Sequence, residues 1–111
     1  MPMRRAALGL VVLASALGAA PNAAARTSCT TGDRFLQALT ADGVSCPGAR
    51  RITFGWARST GCFSGDGATL ADRARACTVR GFRCRPRAAS VGVRVTCTSS
   101  GRAVRFLATG G

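Results

Sequence analysis

Val91-Gly92-Val93-Arg94-Val95-Thr96-Cys97-Thr98, the turn Ser99-Ser100-Gly101, and Arg102-Ala103-Val104-Arg105-Phe106-Leu107-Ala108 form the stretch whose pattern decides the fold. Val91, Val93, Val95 and Cys97 recur with period two, and Val104 and Phe106 repeat the pattern, as strands with one buried face do. Just upstream, Val79 to Arg85 places Phe82 and Cys84 on one face, and Pro86 to Ser90 reads as the intervening turn. Three consecutive strands of this kind predict an antiparallel meander whose apolar face is covered by a helix.

The helix is legible further back. Ser45 is a suitable N-cap, Pro47 is tolerated in the first turn, and Ala49, Ile52 and Trp56 recur at helical spacing. Pro47 to Arg58 is therefore expected to be the main helix, with Arg50, Arg51 and Arg58 turned away from its apolar stripe. Trp56, on the same stripe as Ile52, reads as a core residue rather than a ligand-stacking one.

Ser59 to Gly67 reads as a glycine-rich connection, and Ala68 to Cys77 as a short second helix with Leu70, Ala74 and Cys77 on one face. Nearer the N-terminus, Arg26 to Gly32 is expected to be irregular. Phe35 to Thr40 is expected to be a short strand, although Phe35, Leu36 and Leu39 also fit helical spacing. The fold class is α+β: an N-terminal strand, one main helix, a short second helix and a three-stranded meander.

Cys29, Cys46, Cys62, Cys77, Cys84 and Cys97 all follow an N-terminal export signal pattern. Arg4 and Arg5 supply its positive start, Leu8 to Ala20 its apolar run and Ala23-Ala24-Ala25 a small-residue cleavage site. Residues 1–25 are thus expected to be a removed signal peptide and 26–111 one secreted, disulfide-rich domain. The apolar run is 13 residues long, short of the roughly 20 that span a bilayer, so no integral membrane segment is expected after cleavage. In so small a domain the hydrophobic core is modest, and cross-links supply part of the stability. Cys62 and Cys77 are expected to close the segment between them; a loop of about 15 residues contributes about 3 kcal/mol in the chain-entropy model.

The residue inventory removes much chemistry. The chain has no His, Lys, Glu or Tyr, and its only carboxylates are Asp33, Asp42, Asp66 and Asp72. Ser-His, Cys-His and paired-glutamate constellations are therefore excluded. The aspartates sit where turns and helix caps are expected, which gives each an ordinary structural role. No Cys-x-x-Cys occurs, which argues against a zinc site and a redox motif alike. Neither enzyme activity nor a cofactor or metal is expected.

Charge points to a class of partner. Past Ala25 the chain retains 14 arginines against four aspartates, a net +10. Such a domain is drawn to nucleic acid, acidic polysaccharide or phospholipid headgroups, while a GC-rich coding sequence also produces arginine richness without any selected partner. The meander's outer face is expected to collect Arg83, Arg85, Arg94 and Arg105, with Arg87 in the adjoining turn.

The order Gly43-Val44-Ser45-Cys46 with Ala49-Arg50, then Gly81-Phe82-Arg83-Cys84, then Val95-Thr96-Cys97 and Val104-Arg105-Phe106 resembles the small secreted cysteine-containing proteins of actinobacteria. The resemblance covers about Cys29 to Phe106. It implies a signal peptide, one strand, a helix beginning at the Ser-Cys element and a C-terminal hairpin or meander, and it implies no activity. It further implies Cys29, Cys46, Cys84 and Cys97 as the shared framework, with Cys62 and Cys77 fastening an insertion. Spacing leaves the pairing of those four open, since four cysteines allow three connectivities and the full six allow fifteen. The expected function is a monomeric, non-enzymatic interaction module that binds an anionic polymer or envelope component through the arginine face. The alternative is a secreted inhibitor or toxin-like, antimicrobial effector presenting Phe63 on the Gly61 to Gly67 loop.

Overall fold

The computed structural model describes residues 26–110, so the expected signal peptide over residues 1–25 lies outside the described residues. Seven-residue runs with alternating burial dominate the chain: β2 (Leu36–Asp42), β4 (Phe82–Ala88), β5 (Val93–Ser99) and β6 (Arg102–Ala108). Two three-residue strands, β1 (Arg26–Ser28) and β3 (Cys77–Val79), flank them. Together they form one six-stranded sheet in the order β1-β2-β6-β5-β4-β3, antiparallel at each pairing. Both edges are short, which limits the unpaired backbone offered to another chain.

The expected three-stranded meander is thus half of the observed sheet. Part of the difference is the Arg80-Gly81 turn. Val79 and Phe82 face each other across it and both are buried, yet in a single strand residues three apart point to opposite faces. Positive φ at Arg80 (50°) and Gly81 (82°) makes a two-residue hairpin between them. The expected strand from Val79 to Arg85 therefore splits into β3 and β4, and Pro86 to Ala88, expected in a turn, extends β4. Ser100 and Gly101, with φ of 47° and 79°, form the equivalent turn between β5 and β6.

The rest of the difference is β2, which lies against β6. Its ladder shifts between Gln37 and Thr40, where Ala38 adopts φ 54°. This bulge puts Leu36 and Leu39, three residues apart, on the same buried face. The helical spacing visible in the sequence is the imprint of that bulge. Arg26 to Ser28, expected to be irregular, pairs with β2 as the edge strand β1.

Helix α1 (Cys46–Arg58) forms as expected. The Ser45 hydroxyl accepts from the Gly48 N–H at 3.2 Å, Pro47 occupies the first turn, and Ala49, Ile52, Thr53 and Trp56 are buried. The Thr53 hydroxyl donates to the Ala49 carbonyl at 2.8 Å, which satisfies that buried hydroxyl within the helix. Trp56 sits on the sheet with its ring 5.3 Å from Phe106 and 4.8 Å from Phe63. These rings join Leu39, Val93, Val95 and Val104 in the core.

The second helix is shorter than expected. Only Leu70–Arg73, termed α2, is helical. Its start is a reciprocal cap: the Thr69 hydroxyl accepts from the Asp72 N–H at 3.1 Å, and the Asp72 carboxylate accepts from the Thr69 N–H at 3.3 Å. After Arg73 the backbone turns extended, because Ser64 N–H donates to Arg73 O and Arg75 N–H to Cys62 O, replacing the helical bonds with a short antiparallel ladder. Cys77 therefore opens β3 instead of ending a helix.

Three disulfides join sequence neighbours: Cys29–Cys46, Cys62–Cys77 and Cys84–Cys97. The first ties the start of α1 to the end of β1. The third joins direct register partners on β4 and β5. Cys62–Cys77 closes its segment as the spacing predicts, and both residues belong to the buried core. It fastens the 62–77 segment, from the turn after α1, onto the edge strand β3. No helix among the described residues is long and apolar enough to cross a membrane.

Candidate functional site

Alternation along β4, β5 and β6 divides their residues between two faces. Cys84, Val93, Val95, Cys97, Val104 and Phe106 point to one face and are buried in the core. Arg83, Arg85 and Arg87 leave the other face of β4, and Arg94 leaves the other face of β5, all of them exposed. Alternate residues along a strand stand about 6.6 Å apart and neighbouring strands about 4.8 Å apart, so these guanidiniums share one compact patch. Arg105 on β6 is half-buried in the same face.

Register orders the patch into cross-strand rows. Arg85, Thr96, Arg105 and Thr40 form one row across β4, β5, β6 and β2. Arg87 and Arg94 face each other directly in the next. Arg83 stands opposite Thr98 in a third. All five arginines expected on this surface are therefore together, with Arg87 in the strand instead of in a turn. The nearest acid in the ladder is Asp42 on β2, which lies in the same cross-strand row as Arg83 through Ala103 and Thr98 and also pairs in register with Arg26. Hydroxyls of Thr96 and Thr98 between the arginines add neutral hydrogen-bonding groups to the charge.

The aspartates have local roles. Asp33 accepts from the Phe35 N–H at 2.8 Å, and Asp72 completes the cap of α2. Among the described residues, no three acidic, histidine or cysteine side chains converge in a way that would hold a metal ion. An apolar cavity of about 270 Å³ opens where Phe35, Leu36, Trp56, Phe63 and Leu70 meet. Trp56 Nε1 is buried without a hydrogen-bond partner. Phe63 is half-buried and packed on Trp56, so it is a wall of the core and not a projecting anchor.

A second group of arginines lies on the helix side of the molecule. Arg50, Arg51 and Arg58 on α1 share a cleft with Arg80 from the β3–β4 turn. The outward direction of the three helix residues follows from sequence spacing. Arg80 joins them only through the packing of the hairpin against α1, which no local pattern encodes. No family model, curated protein or solved structure matches this chain.

Proposed function

We propose that this protein is a secreted, non-enzymatic, disulfide-stabilised module that binds an anionic polymer or envelope component through the outer face of its sheet. The observation that carries the reading is the alignment of Arg83, Arg85 and Arg87 along β4 with Arg94 directly opposite Arg87. Like charges placed directly across an antiparallel pair are unfavourable by a few tenths to about 1 kcal/mol. A polyanion laid across the strands removes that repulsion and gains charge-assisted hydrogen bonds from planar guanidiniums. The rigid, cross-linked sheet holds the arginine backbones in place before binding, so little ordering is required of the main chain. Three disulfides and the lack of a membrane-crossing helix among the described residues are consistent with an extracellular location.

The test is retention on an immobilised polyanion as a function of salt. The Arg83→Gln/Arg85→Gln/Arg94→Gln variant is expected to elute at markedly lower salt, with the log–log salt slope reduced by up to about 0.9 for each phosphate that is no longer neutralised. Unchanged elution by the triple variant removes this face as the binding surface.

A further inference from the structure

We propose that the cleft between the outward face of α1 and the β3–β4 turn is a binding site for a tetrahedral oxyanion, the phosphate or sulfate group of an ester. Arg50, Arg51, Arg58 and Arg80 converge on about 510 Å³ of open space, with Phe54 forming an apolar wall and no carboxylate in the lining. Positions 50, 51, 54 and 58 lie on one side of a helix of 3.6 residues per turn. Arg80 arrives from a different element.

Two backbone features deliver Arg80. The tight turn holds it at φ 50° next to Gly81. Gly55 then lets the hairpin lie against the helix, since a Cβ at that position would stand 2.8 Å from Val79 Cγ1. The residue before Arg80 thus packs on α1 at a position without a side chain. The cleft is therefore a product of close packing between two elements and not of one basic helix.

Two of the four arginines are also partly restrained. An Arg50 terminal nitrogen donates to the Thr30 carbonyl at 3.2 Å, and Arg58 Nε donates to the Phe54 carbonyl at 3.4 Å. The Arg58 guanidinium carbon stands 6.0 Å from the Phe54 ring centroid. Each hydrogen bond occupies one of five N–H donors, leaving the remainder of the planar fork for a ligand. Guanidinium geometry matches tetrahedral oxyanions in bidentate fashion, and an anion here offsets the mutual repulsion of four cations. The space exceeds that of a bare ion, and Phe54 supplies a surface for the organic portion of an ester. This site lies on the helix layer, opposite the sheet arginines, and does not depend on the polymer-binding reading.

The test is a titration of the oxidised protein with phenyl phosphate and, separately, phenyl sulfate, followed through the arginine Nε–H resonances at ionic strength held constant with sodium chloride. Saturable shifts are expected at Arg50, Arg51, Arg58 and Arg80, weakened about tenfold or more in Arg51→Gln/Arg80→Gln and unchanged in affinity in Arg85→Gln/Arg94→Gln. Saturation by one ester or by both identifies the source of the oxyanion. Shifts that never saturate, that spread evenly over all arginines, or that persist at wild-type affinity in Arg51→Gln/Arg80→Gln overturn the proposal. Loss of polymer retention in Arg85→Gln/Arg94→Gln with ester binding intact separates this site from the sheet face.

Discussion

Arg87 on β4 and Arg94 on β5 are direct register partners on the exposed face of the sheet. Two positive charges at that spacing oppose folding and favour an anion. Replacing Arg94 with Gln is therefore expected to move stability and binding in opposite directions. Unfolding free energy should rise by about 0.2–1 kcal/mol, read as a higher denaturant midpoint, while retention on a polyanion column falls. The stability gain should shrink as salt is added, because exposed charges are screened within about 10 Å at 0.1 M. A stability loss accompanied by unchanged retention would show that the pair is neither repulsive nor part of a binding surface.

Gly55 and Val79 should be energetically coupled. Ala is the better helix former, yet its Cβ would meet the stiff, branched Val79 side chain at 2.8 Å. Gly55→Ala is expected to lose about 1–3 kcal/mol despite the gain in helix propensity. Val79→Ala should recover part of that loss in the double variant. A double-mutant cycle by chemical denaturation measures the coupling, and simple additivity would show that the two elements do not touch there.

Ala38 occupies the left-handed region with φ 54° at the bulge in β2. An L-residue held there costs roughly 1–2 kcal/mol, partly offset by glycine's greater loss of chain entropy on folding. Ala38→Gly is accordingly expected to stabilise the fold by about 0.5–1 kcal/mol. Equilibrium denaturation at fixed temperature provides the comparison, and destabilisation would argue against the bulge.

Cys62–Cys77 is a buried disulfide spanning 15 residues. Its removal as a Cys62→Ala/Cys77→Ala pair is expected to cost about 2–5 kcal/mol. Amide hydrogen exchange should rise first across residues 60–76, while the central β5 and β6 amides retain protection. Uniform acceleration over the whole sheet would indicate that this bond stabilises the fold globally rather than its own segment.

The single Trp56 reports on packing between helix and sheet. Its truncation to Ala should cost about 3–5 kcal/mol. Trp56→Phe should cost clearly less, because it retains an aromatic ring and removes the buried Nε1 donor that has no partner. Equal losses in the two variants would indicate that a phenyl ring recovers none of the indole's packing and that removing the unpartnered donor brings no gain.

Much of this architecture is readable from short-range pattern. The Ser45 cap, Pro47 and the Ala49, Ile52 and Trp56 stripe specify α1 because caps and helical periodicity are local physics. Strict alternation at Val93, Val95 and Cys97, and again at Val104 and Phe106, specifies β5 and β6 for the same reason. The inventory without His, Lys, Glu or Tyr, and the outward Arg83, Arg85 and Arg94, follow from composition and parity alone. The Val79 and Phe82 pair also held a usable signal. Two large apolar residues of opposite parity, separated by Arg80-Gly81, require a turn between them.

Other features belong to the tertiary structure. That β2 lies beside β6 rests on pairing between residues more than sixty positions apart, such as Thr40 and Arg105, and alternation carries no record of its partner. The bulge at Ala38 disguised a strand as helical spacing because one extra residue resets the parity. Spacing pointed to Cys62–Cys77, but the pairing of the other four cysteines needed the register that sets Cys84 against Cys97 and the packing of β1 beside the start of α1 that brings Cys29 to Cys46. The meeting of Arg80 with the arginines of α1 likewise required the close approach at Gly55. Local sequence determined which elements form and which face of each is buried, since those depend on neighbours a few residues away. Only the folded chain decided which elements meet, because that choice is made by the fit of whole faces distant in sequence.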